Sequence, residues 1–318
     1  MEQEIKKQNN SAKFAFFYVL SFVALVFMSF GVGITLFQII NKFVIDILEG
    51  GGRYQPDALK FAISALLIAT PIFYITTREI HKNLFSGALE KNSEIRKWLT
   101  YFILLITSVI MIAWFIAVVN GFLEGELTLK FGLKSLVAIG INAGIFLFYL
   151  YDIKRDEVKG VKNKTVKLYL YVSLFVVITV FISALFVVES PTETRNRKID
   201  QRVMRNISRI ENAIESYYRE FDMMPEDYEA LKDNERYLVD ENFENVSTKK
   251  QIQYKIVEDK QYELCTDFLA SNQNQEDSRG MYYEERNDNL HDSGYQCFKR
   301  KIKVIEEDRD VMLKTIVD

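Results

Sequence analysis

The sequence predicts an α-helical integral membrane domain with five transmembrane helices, followed by a small α+β ectodomain in which a long helix packs on an antiparallel sheet. The first 189 of the 318 residues contain five uncharged or nearly uncharged apolar runs, and the later residues contain none. Up to residue 189 the chain carries 19 Lys and Arg against 14 Asp and Glu, whereas from residue 190 it carries 21 against 29. These features exclude a purely soluble protein, a disordered chain, a collagen-like chain and a disulfide-dense miniprotein.

Each apolar run is long enough to cross a bilayer core of about 30 Å, which needs about 20 residues in a helix. The five runs are residues 14–40, 59–77, 99–119, 131–151 and 168–188. A buried helix of a soluble protein would explain one of them but explains five poorly. The first run has 27 residues, too long for the apolar region of a cleavable signal peptide, and we interpret it as a retained anchor.

Lys and Arg are distributed unequally between the two sets of predicted loops. The N-terminal tail and the loops after the second and fourth runs together carry 14, whereas the intervening loops carry 4. Because short loops rich in Lys and Arg stay on the cytoplasmic side, this asymmetry predicts a cytoplasmic N-terminus. Five crossings then place the residues from 190 onward outside the cytoplasm.

Few polar residues interrupt the membrane runs. Transporters and pumps usually carry ionisable residues deep in their helices, and none lies near a predicted midplane here. Gln38, Thr70 and Asn142 are the notable exceptions to the apolar pattern, and Pro71 predicts a helix kink. For Asn142 we expect a packing hydrogen bond between helices, although these residues could also line a path in a transporter or channel.

The residue types that carry most enzyme chemistry are sparse. The two histidines, His81 and His291, fall on opposite sides of the predicted membrane, so one chain does not supply a His-based metal site. No phosphate-binding loop, Cys-x-x-Cys pair, Gly-x-Ser-x-Gly motif or dinucleotide fingerprint is present. We therefore expect no catalysis, no cofactor, no metal and no nucleic-acid partner. The acidic loop 276–292 lacks EF-hand spacing, and whether it binds calcium stays open.

The second part opens with the signature of a helix start. Ser190 can cap, Pro191 suits the first helical position, and Glu193 completes a capping box. Apolar residues then recur every three or four positions, which indicates one buried helix face. They are Ile199, Val203, Ile207, Ile210, Ile214, Tyr217 and Phe221. Pro225 is expected to end this helix, and a short helix is expected near 227–231.

Strand patterns follow the helices. Ile252, Tyr254 and Ile256 alternate with polar residues, and after a turn at 258–260 the chain returns antiparallel at 261–266. The polar stretch 271–295 is predicted to be a long loop, and 298–304 a last strand.

Four blocks in the first part lie at residues 40–42, 59–69, 95–99 and 125–131. Together they resemble an uncharacterised bacterial four-helix membrane family, domain of unknown function 5671, over about residues 11–155. That family has no assigned activity. The resemblance therefore implies the bacterial plasma (inner) membrane and supplies no catalytic residue.

Four blocks in the second part lie at residues 207–218, 224–225, 262–265 and 294–298, with Leu231 and Tyr254 as single matching residues between the second and third. They resemble the ectodomain of bacterial pseudopilins, the type IV pilin-like subunits of secretion systems, over about residues 192–303. Pseudopilins begin with a leader that is cut before their helix, and the fifth apolar run shows no such motif. We interpret the second part as a pilin-like domain held as a fixed ectodomain.

The chain has two cysteines, Cys265 and Cys297, and both fall on the predicted outer side. The topology and the pilin-like resemblance both favour a disulfide between them, and two buried free thiols are the alternative. A bond closing this loop would stabilise the fold by about 3–4 kcal/mol if it acts mainly on the unfolded chain.

These patterns predict four segments of chain. They are a four-helix membrane domain at 1–155, a cytoplasmic loop and fifth transmembrane helix at 156–189, a pilin-like extracytoplasmic domain at 190–305 and an acidic tail at 306–318. The predicted function is a non-enzymatic membrane protein that anchors the pilin-like domain near a secretion or pilus-type system. Its expected partners are the lipid bilayer and either another envelope protein or a second copy. The alternative is a transporter or channel subunit with an extracytoplasmic cap.

Overall fold

The structure is a computed structural model that divides into two compact units, unit 1 at Met1–Val188 and unit 2 at Glu189–Asp318. It describes residues 2–46, 53–87, 94–155, 163–273 and 289–302. Most of the acidic loop 276–292 and all of the predicted tail 306–318 lie outside the described residues.

Unit 1 contains five long helices, one for each predicted membrane run. They are α1 (Glu2–Phe43), α2 (Pro56–Ser86), α3 (Glu94–Leu123), α4 (Leu129–Lys154) and α5 (Lys164–Val187). All five are long and apolar enough to cross a membrane by length and composition. The prediction of five membrane helices is confirmed at that level, and the helices extend beyond the apolar runs because polar residues continue them at their ends.

The helices of unit 1 pack as neighbours in the chain, α1 with α2 and α3 with α4, and α5 lies against α1 and α2. Gly31 allows a close approach of α1 and α2. A Cβ atom there would lie 2.9 Å from Leu66 Cγ and 3.3 Å from the Ala62 carbonyl oxygen. Small residues at such crossings let helix backbones approach closely where lipid provides little hydrophobic driving force.

Polar side chains mark several helix starts. Thr128 Oγ1 accepts a hydrogen bond from Phe131 N at the start of α4, and Asn163 Oδ1 accepts from Thr165 N and Val166 N at the start of α5. These bonds satisfy backbone donors that a helix N-terminus leaves without an intrahelical partner.

Unit 2 is a long helix packed on a three-stranded antiparallel sheet. Its elements are α6 (Pro191–Phe221), α7 (Tyr228–Asn234), a 3₁₀ turn (Asp240–Phe243), β1 (Gln253–Glu258), β2 (Gln261–Phe268) and β3 (Gly294–Lys301). The strands lie in the order β1-β2-β3. Val203, Ile207, Ile210 and Ile214 of α6 are fully buried in one core with Leu264 and Phe298 of the sheet.

The boundaries of unit 2 differ slightly from the predicted ones. Ser190 Oγ accepts from Glu193 N, as the capping pattern predicts. Helix α6 ends at Phe221, and Asp222 caps it with a left-handed backbone conformation (φ of 53°). The helix therefore ends before Pro225, the residue predicted to end it. The predicted C-terminal boundary of the loop 271–295 is wrong, because β3 already begins at Gly294. Antiparallel pairing with β2 extends the strand to that residue.

Candidate functional site

Gln38 and Thr70, two of the polar residues that could line a path in unit 1, lie far apart along the helices. Gln38 Oε1, near the end of α1, accepts from Gln55 N at 2.7 Å, beside the start of α2. Thr70 lies 15 residues further along α2, which is about 22 Å of helix. Asn142 Nδ2 donates to Ala138 O of its own helix at 2.8 Å, so the expected bond between helices is wrong. Gln38 and Thr70 therefore lie at different levels of unit 1, and Asn142 uses its amide donor within α4.

At one end of unit 1, polar side chains form hydrogen bonds with the last turn of α5. Lys42 Nζ donates to Val187 O at 3.1 Å, and Tyr54 OH donates to the same oxygen at 3.4 Å. The last carbonyls of a helix have no intrahelical donor, and these two side chains satisfy one of them. Ala184 and Val187 are also buried against Leu59 of α2. These contacts and the hydrogen bonds pack the end of α5 against α1 and α2.

The opposite end of unit 1 holds a buried ionic cluster that joins α3 and α4. Arg96 Nη2 donates to Asp152 Oδ2 at 2.7 Å and to Asp152 O at 2.8 Å. Arg155 Nη2 donates to the other carboxylate oxygen, Asp152 Oδ1. The three side chains are only 3%, 11% and 8% exposed, for Arg96, Asp152 and Arg155 respectively.

This cluster combines two positive side chains with one carboxylate, so it keeps one formal positive charge. Removing one partner of a buried ion pair leaves an uncompensated charge, which is far more destabilising than loss of a surface pair. A cavity of about 40 Å³ adjoins it, enough for an ordered water. Polar residues in its wall are Tyr18, Ser21, Thr77, His81, Thr100 and Tyr149.

Sequence reasoning missed this cluster. Arg96 counts as one of many loop cations in the charge distribution, and Asp152 lies just past the fourth apolar run. The available signal was Asp152 itself, an acid that adjoins an apolar run with Arg155 one helical turn later. Nothing local indicates that Arg96, 56 residues earlier, reaches the same carboxylate.

Unit 2 contains the predicted disulfide. Cys265 and Cys297 are directly opposite each other on β2 and β3, with an S–S distance of 2.10 Å. Cys265 is buried and Cys297 is exposed. The alternative of two free thiols is therefore wrong. The Glu263 carboxylate lies near both sulfurs, but oxidised sulfurs are not thiolate ligands, so the group is not a metal site.

His291 belongs to the packing of unit 2. Its ring stacks on Phe268 with the centroids 3.9 Å apart, and its backbone N donates to Asn272 Oδ1 at 2.7 Å. Burial lowers the pKa of His291, while the nearby carboxylates of Asp200 and Asp292 act in the opposite direction. With the thiols oxidised, this histidine has no cysteine nucleophile to activate.

Asp200 anchors the chain that leaves β2. Its carboxylate is on α6 and is buried, and it accepts hydrogen bonds from Leu269 N and Ala270 N at 2.8–3.1 Å. A buried carboxylate that accepts several backbone hydrogen bonds orders a loop, so Asp200 and His291 together hold the segment after β2.

Residues 15–151 match the family described as a domain of unknown function (DUF5671). The match runs from α1 through most of α4 and supports the resemblance that the sequence blocks of the first part suggest. No curated protein and no solved structure matches the chain. The family match assigns no activity, and the pilin-like resemblance of unit 2 rests on its own sequence blocks.

Proposed function

We propose that the protein is a non-enzymatic bacterial membrane protein whose helical unit anchors a pilin-like extracytoplasmic domain that binds another envelope protein. The Cys265–Cys297 disulfide in unit 2 is the observation that supports this proposal most. Disulfides persist in oxidising compartments and are rare in the cytosol. An odd number of crossings and the bias of Lys and Arg support the same compartment for unit 2.

The roles of the reactive residue types also favour a non-enzymatic protein. Both cysteines are used in the disulfide, and His291 is stacked on Phe268. Arg96, Asp152 and Arg155 neutralise one another in part and bring α3 and α4 together.

The sheet of unit 2 offers a surface for protein binding. β1 lies at the edge of the described sheet, and its Ile256 and Val257 side chains are 43% and 46% exposed. An edge strand has unpaired backbone donors and acceptors, and a partner strand can add to it. We propose this edge as the contact with the partner.

The alternative of a transporter or channel subunit has less support. Gln38 accepts a hydrogen bond from Gln55 N near the start of α2, and Asn142 donates to Ala138 O within its own helix. A solute flux measured in proteoliposomes would support this alternative if the substitution Asn142→Leu abolished that flux.

Thiol labelling in intact cells tests the compartment of unit 2. A membrane-impermeant maleimide should label Cys265 and Cys297 only after reduction, because the thiols are oxidised and outside. Labelling that requires cell lysis but no reductant would place unit 2 in the cytoplasm and overturn the proposal.

Photo-crosslinking in living cells tests the binding edge. A photoreactive residue at Val257 should give a discrete protein adduct, whereas one at the exposed Glu220 of α6 serves as the control. An adduct of two copies of this chain would indicate self-association. Equal adducts at both positions would contradict a specific binding edge.

A further inference from the structure

A cleft of about 770 Å³ opens in unit 1 between α2, α5 and the end of α4. Four basic side chains line it, and none of its described lining residues is Asp or Glu. The basic residues are Arg78, Lys82, Arg155 and Lys167. The wall of this cleft therefore carries a concentrated positive charge.

Arg155 connects the cleft to the ionic cluster. Its side chain is 8% exposed, and its Nη2 donates to Asp152, which Arg96 also engages. The Nε of Arg155 is buried and has no hydrogen-bond partner among the described residues. Burying a donor without an acceptor is costly, and the cluster already has one positive charge in excess. The excess positive charge of the cluster and the basic lining of the cleft favour an anionic ligand there.

The position of the cleft defines the ligand further. Arg78, Lys82 and Lys167 are exposed at its mouth, whereas Phe85, Leu170 and Leu174 give it apolar walls. It lies at the end of unit 1 where apolar helix gives way to Lys and Arg. A ligand with an anionic head and apolar chains matches both kinds of wall, and basic pockets between membrane helices bind lipid headgroups in this way.

We propose that this cleft binds the phosphate group of an anionic phospholipid. The phosphate oxygens accept from Arg155 and from the basic side chains at the mouth, since guanidinium groups suit phosphate geometry. The acyl chains lie along the apolar walls. Soluble phosphate compounds share the headgroup chemistry but lack the apolar chains. The proposal is independent of what unit 2 binds.

Lipid retention by the purified full-length protein tests the site. Native mass spectrometry would compare phosphatidylglycerol with zwitterionic phosphatidylcholine on the wild type and on Arg78→Gln/Lys167→Gln. We expect the wild type to prefer phosphatidylglycerol and the double variant to lose this preference by on the order of tenfold. Lys97→Gln/Lys154→Gln is the matched control, because it removes two exposed charges near the same end from residues that do not line the cleft.

Four further results decide the proposal. Equal losses in both double variants would indicate a diffuse surface attraction and overturn a specific site. Displacement of phosphatidylglycerol by inorganic phosphate would make a soluble phosphate compound the ligand and overturn the lipid assignment. Arg155→Lys keeps the charge but lacks the guanidinium, and a several-fold loss of preference in this variant supports recognition by that group. An unchanged preference in Arg155→Lys would contradict the role assigned to Arg155.

Discussion

The two units place polar and apolar side chains in opposite ways. Unit 1 exposes large apolar side chains, such as Phe175 at 71% and Phe186 at 86%, and buries Arg96 at 3%. Unit 2 buries Val203 and Ile207 completely, and most of its described charged side chains are at least partly exposed. The side chains on the surface of each unit match its surroundings. The surroundings are the hydrocarbon of a bilayer for unit 1 and water for unit 2.

The comparison also separates what holds each unit together. Burial of apolar side chains drives the folding of unit 2, because water surrounds this unit. The disulfide adds further stability. Lipid tails are as apolar as the faces of α1–α5, so unit 1 depends on close packing at small residues and on buried polar contacts. The same kind of substitution is therefore expected to have different effects in the two units.

The largest expected effect is in the ionic cluster of unit 1. Asp152→Asn leaves Arg96 and Arg155 buried without a carboxylate, and we expect a loss of about 3–5 kcal/mol of stability. Thermal unfolding of the full-length protein in detergent measures it. Asp57→Asn is the control, since Asp57 is 95% exposed in a surface pair with Lys60 and should change stability by less than about 1 kcal/mol. Equal losses of stability in Asp152→Asn and Asp57→Asn would show that the buried cluster stabilises the fold no more than a surface ion pair does.

The next effect concerns the disulfide of unit 2. Replacing Cys265 and Cys297 together by Ser should destabilise unit 2 by about 3 kcal/mol, because the unfolded chain regains the freedom of a 32-residue loop. Limited proteolysis would show faster cleavage within unit 2 and unchanged cleavage within unit 1. Protection of unit 2 equal to that of the wild type would mean that its apolar core suffices.

A smaller effect is expected where α1 crosses α2. Gly31→Ala places a methyl group 2.9 Å from Leu66 Cγ, and such overpacking costs about 1–3 kcal/mol. Gly140→Ala is the matched control, because no atom lies within 4 Å of a Cβ there and alanine favours the helix by about 0.5–1 kcal/mol. Thermal unfolding of the two variants should shift in opposite directions. Shifts of the same sign would argue against a tight crossing.

The smallest effect is a pH dependence in unit 2. Burial lowers the pKa of His291 in the folded state, so the unfolded chain binds its proton first as the pH falls. Stability from neutral His291 is therefore complete above the ordinary histidine pKa of about 6.5 and declines below it. Protease protection of unit 2 at about pH 5 and about pH 7.5 should differ less in His291→Gln than in the wild type. An identical pH response would contradict this role.

Much of the fold was predictable from neighbours in the sequence. Five apolar runs predicted five helices, Ser190 and its next three residues predicted the start of α6, and alternation from Ile252 predicted β1. The extension of β2 and β3 was not predicted, because strand pairing between Phe268 and Gly294 depends on a partner far along the chain.

The sequence by itself determined which parts of the chain match hydrocarbon and which match water, because that property depends on each side chain and its local spacing. The tertiary structure alone decided that Asp152 joins Arg96 to Arg155, that Gly31 meets Leu66, and that Asn142 bonds within its own helix. Such contacts depend on how each helix is rotated and offset against its neighbour. Successive residues lie about 100° apart around a helix, so the rotation of a helix about its axis decides which side chains are buried, and no local pattern specifies that rotation.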